Sequence, residues 1–246
     1  TSLDCPVNRV QFTPDLLPSD GTGVSVVNEK TREFEFQPGP VVGNVVLGDE
    51  IHRAPPKTQA ALLEVMSEPQ VTVDGETYPV PDPFIVIATQ NDVEPGRTYE
   101  LPVAEIDRFT KKIRLGYPDA DEETELLGRL TGEHPIESLD PVASVEDVNR
   151  ARETAAGVTV REPVRSYVTR LAGYTREHAR LGASPRGAIA LVRASQVRAV
   201  FEGREYVIPD DVQTEAPTVW GHRVRTDTDV DGAAIVERAL EEVAVE

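Results

Sequence analysis

The sequence predicts an α/β core with a parallel sheet and β-hairpin inserts, followed by a small helical domain. Two continuously apolar runs, Val45–Leu47 and Phe84–Ala88, are typical of central strands in a parallel sheet that is covered on both faces. Two pairs of β-prone segments flank short turns, and beyond residue 117 the pattern becomes mainly helical. We therefore expect the core at residues 1–117 and the helical domain at residues 118–246.

Each expected hairpin consists of two short β-prone segments. The first pairs Val24–Val27 with Glu33–Phe36. The second pairs Gln70–Val73 with Glu76–Tyr78 around Asp74-Gly75, and an Asp-Gly turn between β-prone runs is a strong hairpin signal.

Proline marks the start of several expected helices, because its fixed φ suits the first turn. Pro55-Pro56 precedes an apolar stripe that includes Leu62 and Val65. Ser184-Pro185 supplies both an N-cap and a first-turn proline. Before the helical domain, Lys111–Leu115 is expected to form a third buried strand.

The chain is strongly acidic and poor in lysine. Its 246 residues include 43 Asp and Glu against 25 Lys and Arg, which gives a formal net charge of −18. Such a surface remains hydrated when salt screens its repulsion, which indicates a halophilic source; an ordinary acidic protein is the alternative. The same charge disfavours binding to nucleic acid or to an anionic membrane.

The sequence does not indicate a membrane span, a disulfide framework or a metal-ligand cluster. No apolar run approaches the roughly 18–20 residues that a membrane-spanning helix needs. Cys5 is the single cysteine, which fits a reducing cytoplasm, and the histidines lie far apart. The first residues have neither a charged leader nor an apolar signal core, so we expect a cytoplasmic protein without membrane insertion.

Two acids, Asp49 and Glu50, follow the first apolar run at its carboxyl end. In P-loop ATPases such a pair holds Mg²⁺ through water and orients or deprotonates the attacking water. The alternative is an acidic pair that caps the end of a buried strand. The usual counterpart is a Gly-rich phosphate loop that ends in Gly-Lys, and no Gly-Lys pair occurs in this sequence.

Three further polar residues could complete a catalytic site. Asn91 follows the second apolar run and would hold a water in the same crevice, unless it is only a turn residue. Arg108 would neutralise charge on a neighbouring subunit's γ-phosphate, or simply pair with Asp107. Arg186 lies in a first helical turn, where the helix dipole disfavours a cation, so either a phosphate contact or plain solvent exposure accounts for it.

Several long motifs in this order resemble the MoxR family of AAA+ ATPases. The resemblance covers about residues 8–220, and it rests on Gln11–Asp20, Phe34–Pro40, Asp49–Gln59, Gln70–Gly75, Ala88–Asn91 and Gly182–Arg186. It implies a P-loop-type AAA+ core with a helical lid. It also implies ATP and Mg²⁺ as cofactors.

The resemblance assigns a role to each candidate residue. Asp49 and Glu50 look like the Walker B pair, Asn91 like sensor 1, Arg108 like the arginine finger and Arg186 like sensor 2. The family is typically hexameric, and Arg186 in this clade could serve a neighbouring subunit's nucleotide. It is thought to remodel protein clients as a chaperone, often alongside proteins with von Willebrand factor A domains.

The sequence departs from the family pattern in three places. The Walker A loop should lie upstream of Asn8, and this chain starts too late to contain it. His52 stands where the family usually has Asn, and Asp92 where it commonly has Pro. The missing loop leaves open a nucleotide-independent scaffold protein, and a magnesium-chelatase-like or helicase-like AAA+ ATPase is another alternative.

The acidic, lysine-poor composition leads to a first prediction, on salt. If the protein is salt-adapted, its midpoint of thermal unfolding should rise steeply as KCl is raised from low to molar concentration, because screening removes repulsion between carboxylates. Circular dichroism at several KCl concentrations measures this. An unfolding midpoint independent of KCl would identify an ordinary acidic protein.

Overall fold

The structure, a computed structural model, describes residues 3–91, 99–129, 139–227 and 230–245. The chain forms two compact units, one of Thr1–Arg108 with Pro141–Val145, the other of Phe109–Asp140 with Glu146–Glu246. The expected domain boundary at residue 117 stays a prediction, although the compact units divide nearer to Arg108. Within the described residues, no helix is both long and apolar enough to cross a membrane.

The first unit contains a parallel sheet, as predicted. Its central strand β5 (Val45–Asp49) pairs with β2 (Val7–Gln11) on one side and β8 (Ile85–Ala88) on the other, with Gln11 opposite Asp49 and Gly48 opposite Ala88. The carboxyl ends of all three strands therefore meet at one edge of the sheet. The strands are β1 (Leu3–Asp4), β2 (Val7–Gln11), β3 (Gly23–Val27), β4 (Phe34–Pro38), β5 (Val45–Asp49), β6 (Gln70–Val73), β7 (Glu76–Pro79), β8 (Ile85–Ala88) and β9 (Ala143–Ser144).

The described residues bury one face of this sheet more fully than the other. Val10 and Val46 are buried there, and they line an apolar core with Phe12, Val41, Leu62 and Leu63. On the opposite face Ile85 and Ile87 are about half exposed, at 51% and 49%. Val45 and Leu47 point to that same face and are half-buried, so the expectation that Val45–Leu47 is covered on both faces is met only in part by the described residues.

Both expected hairpins are present. β3 pairs antiparallel with β4, and β6 with β7. At the tip of the second hairpin Asp74 and Gly75 have φ values of 52° and 87°, as a tight two-residue hairpin turn requires. Phe36 of the first hairpin stacks on Tyr78 of the second at 3.9 Å between ring centroids, so the two hairpins are packed together.

Most of the second unit is helical. Its core is formed by large buried side chains, among them Tyr167, Leu171, Leu191, Val212, Val219, Trp220 and Val236. Ser184 caps one helix as expected, since its hydroxyl accepts the Gly187 N–H at 3.0 Å. The helices among the described residues are α1 (Pro18–Thr22), α2 (Pro56–Glu64), α3 (Val103–Ile106), α4 (Ala120–Arg129), α5 (Val145–Gly157), α6 (Glu162–His178), α7 (Pro185–Phe201), α8 (Pro209–Trp220) and α9 (Gly232–Glu242).

The predicted strand at Lys111–Leu115 is wrong for this structure, which has no regular element there. Its backbone bonds to a helix and not to a strand, since the Lys112 N–H donates to the Thr218 carbonyl of α8 at 2.9 Å. Arg223, buried just beyond α8, donates to the carbonyls of Phe109 and Thr110 at 2.6 and 3.1 Å. The segment that follows Arg108 is thus bonded to the helical unit rather than to the sheet.

The chain turns sharply where β5 ends. Glu50 has a left-handed backbone, with φ 56° and ψ 49°, and a short 3₁₀ helix follows at Ile51–Arg53. Ile51 is 1% exposed, so the chain re-enters the core directly after the two acids. A left-handed backbone costs about 1–2 kcal/mol for a residue with a Cβ atom, and the turn therefore holds strain at Glu50.

This strain predicts the relative stability of two variants. Glu50→Gly should be more stable than Glu50→Ala by roughly 0.5–1 kcal/mol, because glycine adopts φ > 0 without steric cost. Chemical denaturation measures the difference. The same pair at Glu76, in strand β7, should show the opposite order, and alanine as the more stable variant at both positions would contradict the strain.

A buried charge pair fixes the start of α8. Asp211 is 1% exposed, and it accepts two hydrogen bonds from Arg204, at 2.8 and 2.6 Å, and one from the Ile208 N–H at 2.9 Å. Burial alone would raise the pKa of Asp211. The bonds from Arg204 and Ile208, with the Arg204 charge, outweigh it and lower that pKa.

Because the pKa of Asp211 is lowered on folding, its stabilisation is complete above the pKa of an unfolded aspartate and is lost as the pH falls through the folded value. Asp211→Asn should therefore lower the free energy of unfolding by about 2 kcal/mol at neutral pH, and the deficit should shrink in acid. Urea unfolding at a series of pH values measures this. Asp210→Asn, at the exposed neighbour, is the control, and a deficit that does not vary with pH would contradict the assignment.

Candidate active site

Asp49 is held by one donor on each carboxylate oxygen. The Thr89 hydroxyl donates to Oδ1 at 2.6 Å, and the Arg9 guanidinium forms an ion pair with Oδ2. The bond from Thr89 and then that from Arg9 lower the pKa of Asp49; burial opposes them, and the charge of Arg9 adds to the lowering. Asp49 is therefore ionised at neutral pH.

Glu50 is held through one oxygen. Its Oε2 accepts the Gln11 Nε2–H at 3.0 Å and pairs with Arg53 Nη1 at 3.1 Å. Its side chain is 22% exposed, so solvent reaches a carboxylate that the protein already orients. A group in this setting can accept a proton from a water or orient one.

Thr89 contacts both acids. Besides its bond to Asp49, its hydroxyl accepts the Glu50 N–H at 2.9 Å. Its backbone N–H donates to the Gly48 carbonyl at 2.9 Å, and its carbonyl accepts the Ile51 N–H at 3.1 Å. The residue after β8 is thus bonded on both sides of the acidic pair.

The other predicted site residues lie in different places. Asn91 is exposed and follows β8 by three residues, at the same edge of the sheet as Asp49. Arg108 is 21% exposed, and it donates to the Leu63 carbonyl at 2.8 Å and pairs with Glu105 at 3.0 Å. Arg186 is an exposed second residue of α7, in the other compact unit. Asp92 lies outside the described residues.

Four residues that contact the acids were not predicted: Arg9, Gln11, Arg53 and Thr89. Two of them lie at strand ends, since Gln11 ends β2 and Thr89 directly follows the apolar strand β8. Carboxyl ends of neighbouring parallel strands meet at one edge, so polar residues at these positions are expected near Asp49. For the two arginines the sequence offers no comparable signal.

The donor set is suited to Mg²⁺ shared with a phosphate. Mg²⁺ prefers oxygen ligands, retains several waters and takes only one or two carboxylates from the protein. Asp49 is ionised, and its side chain is 23% exposed, as such a ligand must be. Among the described residues no three His, Cys, Asp or Glu side chains form a metal-binding group, which is compatible with an ion held mainly by water and phosphate.

Two family models match the sequence. Residues 1–111 match the ATPase family associated with various cellular activities (AAA), and residues 171–242 match an AAA lid domain. A solved structure also agrees: a crystal structure of a candidate ATPase from Cytophaga hutchinsonii superposes with a TM-score of 0.90 at 37% identity. That similarity covers 100% of this chain and 79% of the other.

Three curated relatives span most of the chain. The uncharacterised protein YeaC of Bacillus subtilis is 50% identical, over 91% of this chain and 70% of its own length. Chaperone MoxR1 of Mycobacterium tuberculosis is 40% identical, over 97% and 67%, and protein MoxR of Methylorubrum extorquens is 33% identical, over 88% and 70%. With an α/β core, a helical lid and an acidic pair at the edge of a parallel sheet, the chain belongs to the MoxR family of AAA+ ATPases.

Proposed function

We propose that this protein hydrolyses ATP and uses the energy for chaperone-like remodelling or maturation of protein clients. The observation that carries the proposal is the pair of acids at the carboxyl edge of the sheet, with Asp49 ionised and Glu50 oriented by Gln11 and Arg53. Such an arrangement places a metal ligand and a candidate base side by side. The relative MoxR1 is described as a chaperone, which supports the client-directed part.

In this proposal the two acids have different roles. Asp49 would hold Mg²⁺ through water, and the ion, when bound, would neutralise charge on the phosphates. Glu50 would orient or deprotonate the attacking water, since its carboxylate is partly exposed and already positioned. Asn91, at the same edge of the sheet, would hold that water through its amide.

The two arginines would act on charge at the phosphates. Arg108 would neutralise charge that develops in the transition state, as an arginine finger supplied by a neighbouring subunit. In a single chain Arg108 is bonded to Leu63 and Glu105, so this role requires its guanidinium to leave those partners. Arg186, exposed at the start of α7, would contact a nucleotide of its own or of a neighbouring subunit.

A subunit-edge arginine needs a neighbour, so the proposal includes a homo-oligomer, a hexamer by family resemblance. Proteins with von Willebrand factor A domains are candidate partners on the same ground. The net charge of −18 disfavours nucleic acid as the client. The single cysteine, Cys5, is compatible with the cytoplasm as the compartment.

The test is Glu50→Gln in the full-length protein. This change keeps the shape and removes the base, so kcat for ATP hydrolysis should fall by about 10²–10⁴-fold, while binding of ATP with Mg²⁺ is retained. Phosphate release at saturating ATP and Mg²⁺ measures kcat, and a fluorescent nucleotide analogue measures binding.

Glu177→Gln, at an exposed position of α6, is the matched control and should keep the parental kcat. An unchanged kcat in Glu50→Gln would remove Glu50 from the mechanism. Failure of the full-length parent protein to bind nucleotide would favour the scaffold alternative.

A further inference from the structure

We propose that Thr89 is a positioning residue for both acids of the site, and that it acts on hydrolysis through Asp49 and Glu50 without contacting the substrate. This inference rests on the proposed function, because it assigns Thr89 a part in the same reaction. The observation behind it is that the Thr89 hydroxyl forms a hydrogen bond with each of the two acids.

The Thr89 hydroxyl is used in both directions. It donates its proton to Asp49 Oδ1 at 2.6 Å and accepts the backbone N–H of Glu50 at 2.9 Å. A donor–acceptor distance of this length to a carboxylate is typical of a strong, charge-assisted bond. Because the hydroxyl donates to Asp49 and accepts from Glu50 at the same time, only one orientation of the hydroxyl keeps both bonds.

The backbone of Thr89 makes this orientation rigid. Its N–H and carbonyl are bonded to Gly48 and Ile51, at 2.9 and 3.1 Å. Four hydrogen bonds from one residue therefore span the segment from Gly48 to Ile51, which contains the two acids. A shift of Thr89 would therefore displace both the carboxylate of Asp49 and the backbone of Glu50.

Each acid needs such a support for a different reason. Glu50 has a left-handed backbone that costs free energy, and the bond from its N–H to Thr89 favours that conformation over a relaxed one. Asp49 has a second partner, Arg9, whose long side chain is 63% exposed. Thr89 has a single side-chain torsion that is fixed by its bonds, so it defines the carboxylate plane better than Arg9 does.

The hydroxyl contributes little to folding, because Thr89 is exposed and its partners are open to water. Removing the hydroxyl leaves no polar group buried without a partner, so the cost in stability is small. Misplacement of the two acids, in contrast, should slow the reaction strongly, because a shift of about 1 Å in an active site can lower the rate by about 10²-fold. A change in rate without a change in stability is therefore the signature of this role.

The experiment compares Thr89→Val with Thr89→Ser in the full-length protein. The valine variant is nearly isosteric and lacks the hydroxyl, so kcat or the apparent affinity for Mg²⁺ should fall by about 10–100-fold. The serine variant keeps the hydroxyl and should stay within about three-fold of the parent. ATP hydrolysis over a series of Mg²⁺ concentrations separates the effect on kcat from that on Mg²⁺.

A second readout needs neither metal nor nucleotide. Hydrogen exchange of the Glu50 amide should be faster by about ten-fold or more in Thr89→Val than in the parent, since its acceptor is lost, and it should be restored in Thr89→Ser. The midpoint of thermal unfolding should differ by no more than about 4 °C among the three proteins. Thr154→Val, which removes an exposed hydroxyl bonded at 2.8 Å to Arg150, is the matched control.

The outcomes distinguish this inference from the proposed function. Parental kcat and parental exchange in Thr89→Val would overturn the positioning role, as would a serine variant as slow as the valine variant. If Glu50→Gln also kept the parental kcat, the proposed function itself would fail. Should Thr89→Val not fold, Thr89→Ala removes the hydroxyl without adding apolar volume and takes its place.

Discussion

The parallel pairing of β5 with a strand on each side is the constraint on which the site depends. It brings the carboxyl ends of β2, β5 and β8 to one edge, and the side-chain partners of Asp49 and Glu50 beyond their own turn come from β2 and from the residue that follows β8. The register decides the partners: Gln11 lies opposite Asp49, and Thr89 follows directly on the pairing of Gly48 with Ala88. Because a shift by one residue would turn alternate side chains to the other face, the hydrophobic pattern of the strands also fixes the geometry of the acids.

The acids are placed by strain as well as by pairing. Asp49 is the last residue of a regular strand, whereas Glu50 adopts a left-handed conformation that few residues with a side chain adopt. The strain is tolerated because neighbouring groups hold the turn in place. The backbone of Thr89, the residue after β8, is bonded to Gly48 and Ile51 on either side of Glu50, and Ile51 is buried. Backbone strain that is held in this way is common where side chains must be aimed with precision.

Much of the fold and part of the site could be predicted from the sequence, for identifiable reasons. Apolar runs and an Asp-Gly turn are local signals, so the parallel strands, both hairpins and the lid helices follow from them. The segment Lys111–Leu115 has a strand-like pattern, but a strand also needs a neighbouring strand to pair with. Here the backbone N–H of Lys112 bonds instead to the Thr218 carbonyl of a helix. Arg9 and Arg53 contact the acids through long side chains, whose direction no local pattern defines. The expected salt dependence and the roles of the site residues stay predictions.

The first residues of the helical unit are held by two side chains that lie just beyond α8. Phe109 and Thr110 are bonded through their carbonyls to Arg223, and His222 also contacts the Phe109 carbonyl, at 3.0 Å. Burial lowers the pKa of His222 to about 4, so this contact is made by a neutral ring at physiological pH. This contact therefore does not titrate between about pH 5 and pH 8, and the carbonyls of Phe109 and Thr110 stay bonded to the residues after α8 over the range in which an ordinary histidine changes its charge.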